Sequence, residues 1–181
     1  MTPPPPGPAS GATLDRDGHA ARSETAGQIE PVYVHFEDLD AMGVVHNGRY
    51  VLLIERALES FWTREGWPFD PSQPHFADIF FVVKQFGITY HIPITSVGPV
   101  GVQLWIDRLG SSSVVYGFRV LSADGSVVHA ECRRVQVRID PATMRPAPIG
   151  AALREACRVL LVPGADVGGA GVVAAADAGS Q

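Results

Sequence analysis

The chain is predicted to fold as a two-layer α+β domain, one antiparallel sheet carrying one long helix against its face. Three observations lead there. A strongly patterned helix occupies residues 48 to 65, between an early strand and a late set of strands. Four strand-like runs fill most of residues 79 to 140. Tight turn signals join those runs, and hairpin connections imply antiparallel pairing.

The elements follow in order. Val32 and Val34 alternate with Tyr33 and His35 as a first strand. In the helix, Tyr50, Leu53, Ile54, Ala57, Leu58, Phe61 and Trp62 recur at i, i+3, i+4, i+7 and i+8, the signature of one buried stripe. Gly66 and Pro68 stop it. Three prolines between Trp67 and Phe76 mark an irregular connection. Ile79 to Ile92 is β-branched and aromatic, with Gly87 suggesting a bend or bulge. Val102, Leu104 and Ile106 alternate with Gln103, Trp105 and Asp107, and Val114, Tyr116, Phe118 and Val120 with Val115, Gly117, Arg119 and Leu121. Asp124-Gly125 is a two-residue hairpin signal. In the last long strand, Val127 to Asp140, the apolar parity shifts from Ala130 and Cys132 to Val135 and Val137, which predicts a bulge at Arg133 or Arg134. Residues 150 to 160 suit a short helix. A long strand at the sheet edge would invite aggregation, which edge-to-edge pairing of two copies removes.

Composition bounds the organisation and the partners. The 181 residues suit one domain with a real core. Residues 1–28 are Pro/Gly-rich and 163–181 Gly/Ala-rich, so both read as disordered tails around a folded domain at 29–162. The net charge of −5 argues against nucleic acid as a partner. Two cysteines are too few for a disulfide framework. The start, MTPPPPGPAS, lacks a basic region and an apolar core, so no signal peptide is expected. No apolar run reaches the roughly 18 residues of a membrane span. A soluble, cytoplasmic protein without membrane association is the expectation.

The chemistry concentrates just before the helix, where Asp38 and Asp40 stand beside Gly43, His46 and Asn47. Carboxylates there commonly act as caps or complements to the helix dipole. They can also serve as a base facing the free N–H groups of the helix start. Asp38, Asp40 and His46 lack a further His or Cys at ligand spacing, so no metal is expected. A nucleophile elbow and a phosphate-binding loop are both missing.

The run Asp38-Leu39-Asp40-Ala41-Met42-Gly43-Val44-Val45-His46-Asn47-Gly48-Arg49-Tyr50, followed by Glu55-Arg56-Ala57, resembles the motif of hotdog-fold acyl-CoA thioesterases of the 4-hydroxybenzoyl-CoA thioesterase type. Tyr90-His91-Ile92-Pro93 resembles that family's Tyr-x-x-Pro, and Arg108 to Ser113 its R-x-G-x-S turn. The closing strand with its Pro-rich exit, Val135 to Ile149, is also similar. The resemblance implies a hotdog fold, an antiparallel sheet of about five strands wrapped around one long central helix. It implies hydrolysis of an acyl-CoA thioester to free acid and coenzyme A. Asp40 falls on the catalytic carboxylate, as general base or nucleophile, and the backbone N–H at Asn47 on the oxyanion donor. Gly43, Val45, His46, Tyr50 and Ser112 are the implied substrate-binding residues. Lys84, Arg108, Arg133, Arg134 and Arg138 are candidates for the phosphates of coenzyme A. No cofactor is expected, since coenzyme A enters as part of the substrate. A homodimer or homotetramer is expected, with an acyl-carrier-protein thioesterase or a non-catalytic acyl-binding module as alternatives. A hotdog dehydratase would present a catalytic histidine in this region, a role for which His46 is the available residue.

Overall fold

A computed structural model describes residues 27 to 168. Of the expected tails at 1–28 and 163–181, residues 1–26 and 169–181 lie outside those residues. The elements run β1 (Gln28–Val34), α1 (Arg49–Arg64), β2 (Phe81–Tyr90), β3 (Gly98–Leu109), β4 (Ser113–Ser122), β5 (Val128–Arg138), α2 (Ala151–Ala156) and β6 (Leu161–Val167). The antiparallel strands lie in the order β1-β3-β4-β5-β2. β6 extends the sheet beside β1, pairing in parallel with the far half of β3 at Ile106 to Leu109. The expected tail boundary at residue 163 therefore falls inside a strand. Its Gly/Ala content hid that role, because β6 draws its partner from β3 rather than from an apolar pattern of its own.

Sheet and helix meet through the predicted stripes. Leu53, Ile54, Ala57 and Phe61 are fully buried on α1, opposite Val102, Leu104 and Ile106 of β3 and Phe118 and Val120 of β4. Burying one such side chain contributes roughly 1.5–3 kcal/mol, so this interface is the main source of stability. β1 is fastened to α1 by a buried carboxylate: Glu30 accepts from Ser60 Oγ at 3.1 Å and pairs with Arg64 at 2.6 Å.

Two irregularities lie elsewhere than expected. β2 is irregular between Val83 and Gln85, while Gly87 pairs regularly with Arg133. β5 is irregular at the Ala130–Val128 step, and Cys132 to Val135 keep register with β4. No parity change occurs at Arg133 or Arg134. Ala130, Cys132, Arg134 and Gln136 all face inward, so two polar residues occupy core-side positions. The sequence pattern shifted because those two side chains are polar, not because the backbone turned over.

Candidate active site

The loop before α1 is built by hydrogen bonds from its own acidic residues. A 3₁₀ turn at Phe36–Asp38 puts the Asp38 side chain fully inside. Its Oδ2 accepts from His35 N at 2.9 Å and from Arg56 Nη1 at 3.4 Å, and Arg49 Nε lies 4.0 Å from Oδ1. The Asp38 carbonyl accepts from His46 N at 2.9 Å. Asp38 thus ties the loop at both ends to the first two turns of α1, a positioning role rather than a chemical one.

Asp40 stands at the start of the next turn, half-buried. Its Oδ1 accepts from Met42 N at 2.8 Å and Val44 N at 3.3 Å, while Oδ2 takes no hydrogen bond among the described residues. Gly43 closes the turn onto the Asp40 carbonyl at 2.9 Å with φ of 74°. That left-handed backbone explains a glycine here, since other residues are strained in it. Gly43 shapes the turn but does not line the pocket beside it.

That pocket, about 380 Å³, is lined by Asp40, Val45, His46, Asn47 and Tyr50 together with Tyr90. Five residues expected from sequence therefore meet in one place. Val45 is buried and anchored to the Ile94 carbonyl at 2.8 Å. The buried Tyr50 ring packs edge-on against Tyr90, with ring centres 5.1 Å apart, and its hydroxyl accepts from Ile94 N at 3.4 Å. Burial pushes the Tyr50 hydroxyl above its ordinary pKa, so it stays protonated.

The helix start is only partly capped. Gly48 N donates to His46 Nδ1 at 3.1 Å and to Asn47 Oδ1 at 2.9 Å. Because His46 Nδ1 accepts, the neutral ring carries its proton on Nε2. The Asn47 N–H makes no hydrogen bond among the described residues, so this donor of the positive helix end is free.

Tyr90, part of the Tyr-x-x-Pro landmark, joins the site as a residue that the sequence motif around Asp40 does not contain. Its hydroxyl donates to the Asn47 carbonyl at 2.9 Å, fastening the end of β2 to the helix start. Ser112 sits in the β3–β4 turn, where its carbonyl accepts from Arg138 N at 2.8 Å; it does not line the Asp40 pocket.

The candidate cations divide. Arg108 pairs with Asp166 at 3.0 Å, and Arg138 with Asp78 at 3.4 Å. Arg134 is buried against Glu55 and cannot reach a surface phosphate. Lys84 and Arg133 remain exposed. Among the described residues, no group of three His, Cys, Asp or Glu side chains could hold a metal, and no helix is long and apolar enough to cross a membrane.

Comparison with known proteins decides the family. The thioesterase superfamily model matches residues 42–129. A Thermus thermophilus thioesterase, crystallised with coenzyme A and zinc, is 30% identical; the chains overlap over 73% of this one and 92% of that one, with a TM-score of 0.60. The chain belongs to the thioesterase superfamily. The Escherichia coli acyl-CoA thioester hydrolase YbgC is 29% identical to this thioesterase over 117 residues, which span 64% of this chain and 84% of that protein. A Pseudomonas aeruginosa structure at 24% identity superposes with a TM-score of 0.68, covering 77% of this chain and 94% of its own, and supports the fold. The thioesterase is accordingly a hotdog-fold thioester hydrolase: α1 is the central helix, and the sheet from β1 to β6 wraps it.

Proposed function

We propose that this thioesterase hydrolyses acyl-CoA thioesters, with Asp40 as general base and the Asn47 N–H as oxyanion donor. The observation that carries the reading is the juxtaposition in one pocket of an unengaged Asp40 Oδ2 and an unengaged backbone donor at a helix start. Two relatives agree with the substrate class, one named an acyl-CoA thioester hydrolase and one crystallised with coenzyme A.

The chemistry then follows from charge. Asp40 Oδ2 takes a proton from water as the water oxygen bonds to the thioester carbon. The carbonyl oxygen becomes negative and is held by the Asn47 N–H, a fixed donor at the positive end of α1. Collapse breaks the C–S bond, and the proton on Asp40 passes to the departing thiolate. The products are a free acid and a thiol, and Asp40 returns to its starting state. A thiolate leaves readily, so one carboxylate serves both transfers. The hydrogen bonds from Met42 N and Val44 N keep Oδ2 aimed while Oδ1 is held.

The free edge of β2 points to assembly. It ends the sheet order and exposes Val82 and Val83. A two-fold pairing of β2 edges would be antiparallel, placing the Phe81 end of one copy beside the Tyr90 end of the other.

The test is Asp40→Asn assayed by release of free coenzyme A. Removing the base lowers kcat by about a hundredfold or more, the usual size of general-base effects. Wild-type turnover by this variant would sink the assignment. Parallel assays on acyl-CoA and the matching acyl-carrier protein decide the carrier, with faster turnover of the carrier-protein substrate contradicting the coenzyme A reading.

A further inference from the structure

Residues 46 to 49 turn the chain from the Asp40 loop into α1. The direction of the Asn47 N–H is set by the two peptides that flank the Asn47 Cα. In the first, the His46 carbonyl accepts from Arg49 N at 2.8 Å. In the second, Gly48 N donates to His46 Nδ1 at 3.1 Å and to Asn47 Oδ1 at 2.9 Å. These bonds all join groups within the turn, so they move with it and do not tie it to the rest of the molecule. Gly48 adds to the freedom: it stands at the N-cap without a side chain to bond the helix start, and glycine has the widest backbone range. The remaining bond is different. The Asn47 carbonyl accepts from the Tyr90 hydroxyl at 2.9 Å, across 43 positions of sequence.

Tyr90 is itself held in place. It is the last residue of β2 and pairs with Ala130 of β5. Its ring stands edge-on to the buried Tyr50, with centres 5.1 Å apart. Just beyond it, Ile94 N donates to the Tyr50 hydroxyl at 3.4 Å, and the Ile94 carbonyl accepts from Val45 N at 2.8 Å. The end of β2 therefore grips the loop at Val45, the turn at Asn47 and the first helical turn at Tyr50. Burial raises the Tyr90 hydroxyl above its ordinary pKa, so it stays protonated and keeps donating. Its proton is committed to the Asn47 carbonyl, so its influence on the reaction runs through the backbone.

That influence falls on the step that needs it. Negative charge on the carbonyl oxygen develops only in the transition state, and a donor already aimed at it costs no reorganisation then. A donor on a loose turn must be ordered during the reaction, and a displacement near 1 Å costs up to about a hundredfold.

We propose that Tyr90 is a positioning residue whose hydroxyl, by holding the Asn47 carbonyl, aims the Asn47 N–H at the developing oxyanion. The inference rests on the thioesterase reading and adds the group that fixes its oxyanion donor.

The experiment compares Tyr90→Phe with Tyr90→Leu. The first removes one hydroxyl from a ring that is 46% exposed and keeps its packing on Tyr50, so the fold is retained; the second removes the packing as well. Acetyl-, octanoyl- and benzoyl-CoA are the substrates, and release of coenzyme A is followed for whichever wild type hydrolyses fastest. An interaction made only in the transition state lowers kcat and kcat/KM equally. Tyr90→Phe is expected to lower kcat about tenfold with KM within about twofold of wild type, and Tyr90→Leu to lose at least as much. A fall in kcat below about threefold for Tyr90→Phe overturns the proposal. So does a loss carried by KM, or a defect confined to Tyr90→Leu, which would leave ring packing as the whole of the role.

A wild-type enzyme inactive on all three counts against the thioesterase reading instead. Tyr90 is then judged by backbone amide relaxation in NMR, which needs no substrate. The order parameters of Asn47 and Gly48 should stand near the rigid value of about 0.85 in wild type and fall toward about 0.6 in Tyr90→Phe. Unchanged values overturn the proposal.

Discussion

Asp38→Ala tests whether the loop before α1 is held by the charge of this carboxylate. The His35 N–H bond to a buried carboxylate contributes about 1.5–3 kcal/mol. Arg56 and Arg49 are 38% and 40% exposed, so solvent screens both pairs, and each adds no more than about 1 kcal/mol. Against this, Asp38 Oδ1 is buried without a hydrogen-bond donor, a cost of about 1–3 kcal/mol that alanine removes. The balance is a loss of about 2 kcal/mol, or about thirtyfold in the folding equilibrium. In urea, where slopes run about 1–3 kcal/mol per molar, the midpoint should fall by about 1 M with the slope unchanged. Asp38→Asn keeps the shape and an acceptor for His35 N, so it should lose about half as much. Since Asp40 and His46 hang from the same loop, kcat/KM of folded Asp38→Ala should also fall, by up to about a hundredfold for a displacement near 1 Å. A midpoint shift below about 0.2 M, or unchanged kcat/KM, would refute the positioning role.

Two further outcomes follow from burial and from the sheet edge. Burial pushes the thiols of Cys132 and Cys157 up to about 12, whereas an unfolded thiol titrates near 8.5. The folded state keeps protons that the unfolded state gives up, so this contribution is complete below about pH 8.5. It is lost as pH rises toward 12, at about 1.4 kcal/mol per pH unit for each thiol. Urea midpoints measured across this range check it, and a flat profile to about pH 10.5 contradicts it. Neither thiol should react quickly with a thiol reagent in the native protein near pH 8. Sedimentation velocity should show a dimer or tetramer; a monomer at micromolar concentration would exclude edge pairing through β2.

The candidate catalytic loop was legible because its information is local. Asp40, Gly43, Val45, His46, Asn47 and Tyr50 lie within eleven consecutive positions, and turn chemistry plus a helix start confines them to one small region. The α1 stripe was legible for a similar reason, since one period of 3.6 residues specifies both helix and buried face. The strands were legible as elements, but their irregularities were not. A bulge is set by how two strands accommodate each other, and the polar Arg134 and Gln136 mimicked one in the sequence.

By itself, then, the sequence determined the α+β class, the long helix and the group of residues around Asp40, all of which depend on near neighbours along the chain. The tertiary structure decided what depends on distant partners. Tyr90 reaches Asn47 across 43 positions, and β6 finds the far half of β3. Arg134 turns inward to meet Glu55, because strand alternation and the registry with β4 fix its side before its charge is considered. That last decision changes a candidate phosphate ligand into a buried guanidinium paired with Glu55.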